Sequence, residues 1–141
     1  MCNINNNYNE IIKMAIDARK YSYSPYSGFK VGACLRDKEG NLFTGCNIEN
    51  AAFSPTNCAE RTAFFKAVSE GSSEFECIAI AGGAAQEIKD FCPPCGVCRQ
   101  VMMEFCDPVD FKVILVKSEN EYKEILLKDL LPEGFGALNI K

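Results

Sequence analysis

The chain of 141 residues contains no histidine. That absence removes the Ser-His-Asp triad, the Cys-His dyad, the HExxH zinc site and every imidazole proton shuttle. Acid–base chemistry must fall to Asp, Glu, Lys, Tyr or Cys. An excess of basic charge is also lacking: 15 Lys and Arg face 19 Asp and Glu, for a net charge of -4. This balance opposes the counterion release on which binding to long nucleic acids depends, so a small-molecule partner is expected and a nucleic acid is not. No apolar run approaches the ~20 residues needed to span a bilayer, and Met1 to Glu10 carries neither a basic stretch nor an apolar core of a signal peptide. No membrane partner and a cytoplasmic, reducing compartment are therefore expected. Repeats, charge blocks and Gly/Ser linkers are missing as well, and residues 1–141 read as one domain, with 3–7 as a short capping or disordered lead-in.

Cysteine is what the chain has in abundance, at positions 2, 34, 46, 58, 77, 92, 95, 98 and 106. Nine is an odd number, and a disulfide scaffold belongs to short secreted chains with paired cysteines, which leaves metal binding or redox chemistry. Tyr8, Ile11, Ile12, Ala15, Ile16 and Arg19 recur at helical spacing, with Asn7 and Glu10 placed like a capping pair, and Ser24 to Gly28 ends the segment. Lys30–Leu35 and Leu42–Ile48 flank a polar turn and predict an antiparallel hairpin. Cys58–Glu70 predicts a mostly buried helix closed by Gly71, with Phe64, Phe65 and Val68 beside its alanine face. Cys77–Ala81 is a third strand, Cys95–Cys106 a second buried helix introduced by Pro93-Pro94, and Val113–Val116 a fourth strand. Tyr122–Leu126 and Lys128–Leu131 add a fifth strand and a short helix. Strands alternating with buried helices, together with a hairpin, predict an α/β fold with a mixed five-stranded sheet flanked by helices.

Pro94-Cys95-Gly96-Val97-Cys98 heads one predicted helix, and two cysteines three apart can reach one tetrahedral metal at about 2.3 Å per sulfur. Cys58-Ala59-Glu60 heads the other, bringing a third thiolate and a carboxylate. Three sulfurs on Zn²⁺ leave a position for water, the mark of catalytic rather than structural zinc. Three thiolates also bring the charge of the ion to about -1, which weakens its power to acidify water. Two helix N-termini at roughly half a positive charge each, with Arg61 adding about one more, return the local total to near +1. Other readings stay open. Cys92-Pro93-Pro94-Cys95 has the spacing of a redox dithiol, and Cys92 or Cys106 could close a four-cysteine structural site, although that leaves Glu60 without a role. An iron–sulfur run fails because position 102 is methionine. Cys34, Cys46 and Cys77 lie in strand patterns and read as small buried residues.

Cys58-Ala59-Glu60 followed by Pro94-Cys95-Gly96-Val97-Cys98 resembles the zinc deaminase signature in its three-cysteine form. Gly45 to Ala51, Cys58 to Ala63, Cys98 to Val101 and Ser24 to Ala33 are similar to the small cytidine deaminases. The resemblance implies a three-layer cytidine-deaminase-like fold and hydrolysis of cytidine or deoxycytidine to uridine or deoxyuridine, with ammonia released, in pyrimidine salvage. It implies one zinc ion per subunit on Cys58, Cys95 and Cys98, with Glu60 as proton carrier to N3 and then to the departing ammonia. It further implies that Asn47 and Glu49 hold the ribose hydroxyls, that Phe29 packs at the nucleoside site, and that the Ala59 N–H meets the pyrimidine O2. Arg61 and Gln100 have supporting places in the same motifs. Phe135 resembles an aromatic that stacks on the base from a neighbouring subunit of a homotetramer. Two rivals remain: an editor of single-stranded nucleic acid, which the absence of a basic groove disfavours, and a zinc-stabilised binding module without turnover.

Overall fold

The computed structural model describes residues 7–84 and 86–141; of the expected lead-in, 3–6 lie outside them. Helix α1 (Asn9–Ala18) and a single 3₁₀ turn (Arg19–Tyr21) precede the hairpin of β1 (Phe29–Asp37) and β2 (Leu42–Cys46). Then come α2 (Ala59–Ser69), β3 (Phe75–Ala84), α3 (Gly96–Phe105), β4 (Lys112–Ser118), β5 (Glu121–Leu126), α4 (Leu127–Leu130) and α5 (Ala137–Ile140). The five strands form one mixed sheet in the order β2-β1-β3-β4-β5, antiparallel except between β3 and β4. A parallel pair requires a crossover, and α3 supplies it.

Alternation along the strands builds three layers. Ala33, Leu35, Ile78, Ile80, Val113 and Leu115 face one core with Ala59, Ala63 and Phe64 of α2 and Cys98 and Met102 of α3. Cys34, Cys77, Ala79, Ala81, Ile114 and Val116 face the other, against Ile11, Ile12 and Ala15 of α1. The sheet is thus sandwiched, as expected. Cys34 and Cys77 act as small apolar residues, with burial pushing their thiols up to about 12 and about 11. Cys46 is half-buried at the end of β2.

Close approach of sheet and helix sets where the functional ends of α2 and α3 lie. A Cβ on Gly45 would stand 2.4 Å from the Ala59 carbonyl oxygen and 2.6 Å from the Ala63 nitrogen, so β2 runs directly against the α2 backbone. At the far end, Gly71 adopts φ +97° and donates to the Val68 carbonyl while Ser72 donates to that of Ala67, a Schellman termination. Phe64 anchors the layer, with its ring centroid 5.2 Å from that of Phe75 and 6.0 Å from that of Phe111. Burying such a ring contributes about 1.5–3 kcal/mol.

Four expectations need correction. Asn7 does accept from the Asn9 N–H, at 3.0 Å, but Tyr8 is the N-cap residue and, among the described residues, no side chain caps α1, so Asn7 and Glu10 form no capping pair. Strand β2 stops at Cys46 because Asn47 turns its amide to β1, and Ile48 makes only isolated bridges to Tyr23 and Asn57. Phe65 and Val68 are exposed, since the helical turn carries them away from the Ala59–Ala63–Ala67 stripe. Helix α3 buries only Cys98 and Met102 and is not a buried helix.

Candidate metal centre and active site

Cys58 occupies the N-cap position of α2 and Cys95 that of α3, both with extended backbone, at φ -79° and -69°. Cys98 sits one turn into α3 and is buried. Side-by-side packing of the two helix starts brings the three sulfurs within 4.8 Å of one another, with Cys58 and Cys95 3.7 Å apart. The Cys95 sulfur also accepts from the Cys98 N–H at 3.4 Å, and Arg61 Nη2 donates to the Cys58 sulfur at 3.2 Å. Positive helix ends and a guanidinium therefore surround the sulfurs, as their charge requires.

Contact with Cys98, and then the Arg61 guanidinium and Cys95, lower the pKa of Cys58 against the effect of burial, while the same contact and burial raise that of Cys98. Glu60 is 4% exposed, and burial raises its carboxyl to about 7. Three convergent soft donors at tetrahedral reach, with no fourth sulfur in the set among the described residues, fit zinc. Cys92 is outside that set. A Cβ on Gly82 would lie 2.7 Å from its sulfur and 3.0 Å from Phe29 Cε2, and burial, with the charges of Glu60 and Cys58, pushes its thiol up to about 11.

A family model described as the cytidine and deoxycytidylate deaminase zinc-binding region matches residues 5–115. The chain belongs to that deaminase family. A cytidine deaminase of Halalkalibacterium halodurans is 49% identical over 90% of this chain and 92% of its own. That of Sporosarcina psychrophila is 44% identical over 89% of each. The crystal structure of cytidine deaminase from Burkholderia pseudomallei superimposes with a TM-score of 0.83 at 42% identity, over 92% of this chain and 99% of that one. Zinc-dependent hydrolytic deamination of cytidine is the activity that goes with this family.

Backbone and side-chain bonds tie Asn47 and Glu49 of the deaminase to the start of α2. Thr62 Oγ1 donates to the Cys46 carbonyl at 3.1 Å, and Ile48 and Asn57 exchange two backbone bonds of 2.9 Å. These ties hold Asn47 and Glu49 beside the start of α2. Asn47 is nevertheless engaged inward: its Oδ1 accepts from the Val31 N–H at 2.9 Å and from Ser22 Oγ at 2.5 Å, and its Nδ2 donates to the Phe29 carbonyl at 2.8 Å. It thereby fixes the start of β1. Glu49 accepts from the Tyr26 and Ser27 N–H groups and from the Ser27 hydroxyl. The hydroxyl bond, ahead of the smaller opposing effect of burial, keeps the carboxyl ionised by lowering its pKa. The Ala59 N–H belongs to the first turn of α2, where backbone donors have no partner within the helix. Phe135 lies on the C-terminal arm, and Gln100 Nε2 donates to its carbonyl at 2.8 Å. Arg99 has no role in the sequence reading, because its partner Leu130 is remote in the chain and no local spacing announces it.

Proposed function

We propose that this chain hydrolyses cytidine and deoxycytidine to uridine and deoxyuridine, releasing ammonia, with Cys58, Cys95 and Cys98 as the zinc ligands and Glu60 as the proton carrier. The observation that carries the reading is the convergence of three sulfurs at two helix ends with a buried carboxylate in the first turn of α2. Bound zinc supplies a Lewis acid that lowers the pKa of water at its fourth position. Glu60 would take one proton from that water and pass it to N3 of the cytosine ring as oxygen bonds to C4, then take the remaining proton of the new C4 hydroxyl and pass it to the amine as the C4–N bond breaks. One water enters and one ammonia leaves, and the carboxylate returns to its starting state.

Glu49 retains acceptor capacity beyond its three bonds, and with Asn47, whose amide also holds the Phe29 carbonyl, it takes the ribose hydroxyls. The Ala59 N–H meets O2 of the ring. Phe135 completes the pocket of a neighbouring subunit in a homotetramer, a reading supported by an arm on which Phe135, Leu138 and Ile140 are all exposed. Tyr26 and Phe53 add an exposed edge-to-face pair with centroids 6.2 Å apart. The whole chain acts as one deaminase domain in cytoplasmic pyrimidine salvage. The acidic balance favours free nucleosides over polynucleotides.

Incubating the purified protein with cytidine, deoxycytidine or a cytosine-containing single-stranded oligonucleotide, and measuring ammonia and zinc in one sample, tests this. Ammonia from both nucleosides and none from the oligonucleotide, at one zinc per chain, is expected. Stoichiometric zinc without ammonia from either nucleoside would establish a zinc-stabilised module instead.

A further inference from the structure

Two consecutive side chains of α3 reach from the metal loop to the C-terminal arm. Arg99 donates from Nε to the Pro94 carbonyl at 2.8 Å and from Nη1 to the Leu130 carbonyl at 2.6 Å. Gln100 donates from Nε2 to the Phe135 carbonyl at 2.8 Å. Pro94 directly precedes Cys95, and Leu130 ends the four-residue helix α4, whose last carbonyls have no helical donor beyond them. One guanidinium thus joins two backbone acceptors on separate segments. Its planar fork suits that task, where a lysine offers a single point charge.

The other restraints on the arm lie in its backbone: Gly134 donates to the Leu131 carbonyl at 3.1 Å, and Gly136 to Asn139 Oδ1 at 2.7 Å. Beyond α4 the chain turns at Glu133, with φ +57°, and Gly136 rests near Met103, where a Cβ would lie 3.2 Å from Cε. Phe135 is 58% exposed, Leu138 84% and Ile140 75%. The ring of Phe135 is therefore located by bonds to its backbone and not by packing of its own side chain.

We propose that Arg99, assisted by Gln100, is a positioning residue that clamps the C-terminal arm to the metal loop of its own subunit and so holds the Phe135 ring in place for the nucleoside of the adjoining subunit. This rests on the reading that Phe135 acts across the subunit boundary. Arg99 touches neither the substrate nor the sulfurs. Its contribution is pre-organisation: the arm loses its freedom on folding and not on substrate binding, so loosening it raises KM more than it lowers kcat.

Mixed oligomers test the clamp. Phe135→Ala chains keep their own Glu60 but offer no ring, whereas Glu60→Gln chains offer a ring but no turnover. Reassociating the two gives active sites served only by donor arms, and KM is expected to fall about tenfold from that of Phe135→Ala alone. Donor chains that carry Arg99→Ala in addition to Glu60→Gln should give no such fall, with zinc content and assembly unchanged. If Arg99→Ala does not fold, Arg99→Lys and Gln100→Ala replace it in the donor, and both should rescue less well. No rescue by the Glu60→Gln donor defeats the shared site. Equal rescue by donors with and without the Arg99 substitution defeats the clamp and leaves the shared site standing.

Discussion

Glu60→Gln is expected to lower kcat by about 10²–10⁴-fold while the protein keeps its zinc, its oligomeric state and its thermal midpoint. The substitution preserves shape and removes only the capacity to accept a proton. Glu60 is buried beside Cys58, so an uncharged amide fits at no electrostatic cost, and the midpoint should hold or rise. The loss should fall on kcat with little change in KM, because the carboxylate works on protons in flight and not on the sugar or ring in the ground state. A drop smaller than about tenfold would assign the proton transfers to another group.

Removing a sulfur acts on a different property. Cys98→Ala should reduce activity to background and strip zinc from the chain, since two remaining thiolates make a poor tetrahedral site. The same loss should appear as stability. A metal bound at a thousand times its Kd contributes about 4 kcal/mol to the folded state. At roughly 3–4 °C per kcal/mol for a chain of this size, the thermal midpoint should fall by about 10–15 °C. The protein should remain folded, because the two cores around Phe64 and Ile11 do not depend on the metal. Chelation of the unmodified protein should account for most of that fall, with the small cavity that Cys98→Ala leaves in the core adding the rest. Full activity and an unchanged midpoint in Cys98→Ala would show that the sulfur triad is not the metal site.

Much of the fold and site is legible in the sequence because local rules and tertiary demands coincide. The α1 stripe is a helix because its apolar residues recur at 3.6, and the hairpin forms because a polar turn separates two apolar runs. Cys58 and Cys95 are marked as helix starts by the helical runs directly after them, and their convergence needs only that α2 and α3 pack as neighbours on one face. The failures arise where a side chain chose a distant partner. Asn47 abandons the strand pattern for Val31 and Phe29, and nothing in its neighbours signals that choice. Phe65 and Val68 look like core residues by composition, yet the angular position of α2 turns them outward. Helix α5 is a single turn after Gly136, too short for any periodicity to register. The bond from Arg99 to Leu130 is a tertiary contact between backbone and guanidinium, to which residue patterns are blind.

The identity of the ligands matters more than any rate, because the chemistry assigned to Glu60 needs solvent on the metal. X-ray absorption at the zinc edge of the as-purified protein should show three sulfur neighbours at about 2.3 Å and one oxygen or nitrogen near 2.0 Å. A shell of four sulfurs, with Cys92 or Cys106 drawn in as the last, would close the site to water and contradict the account.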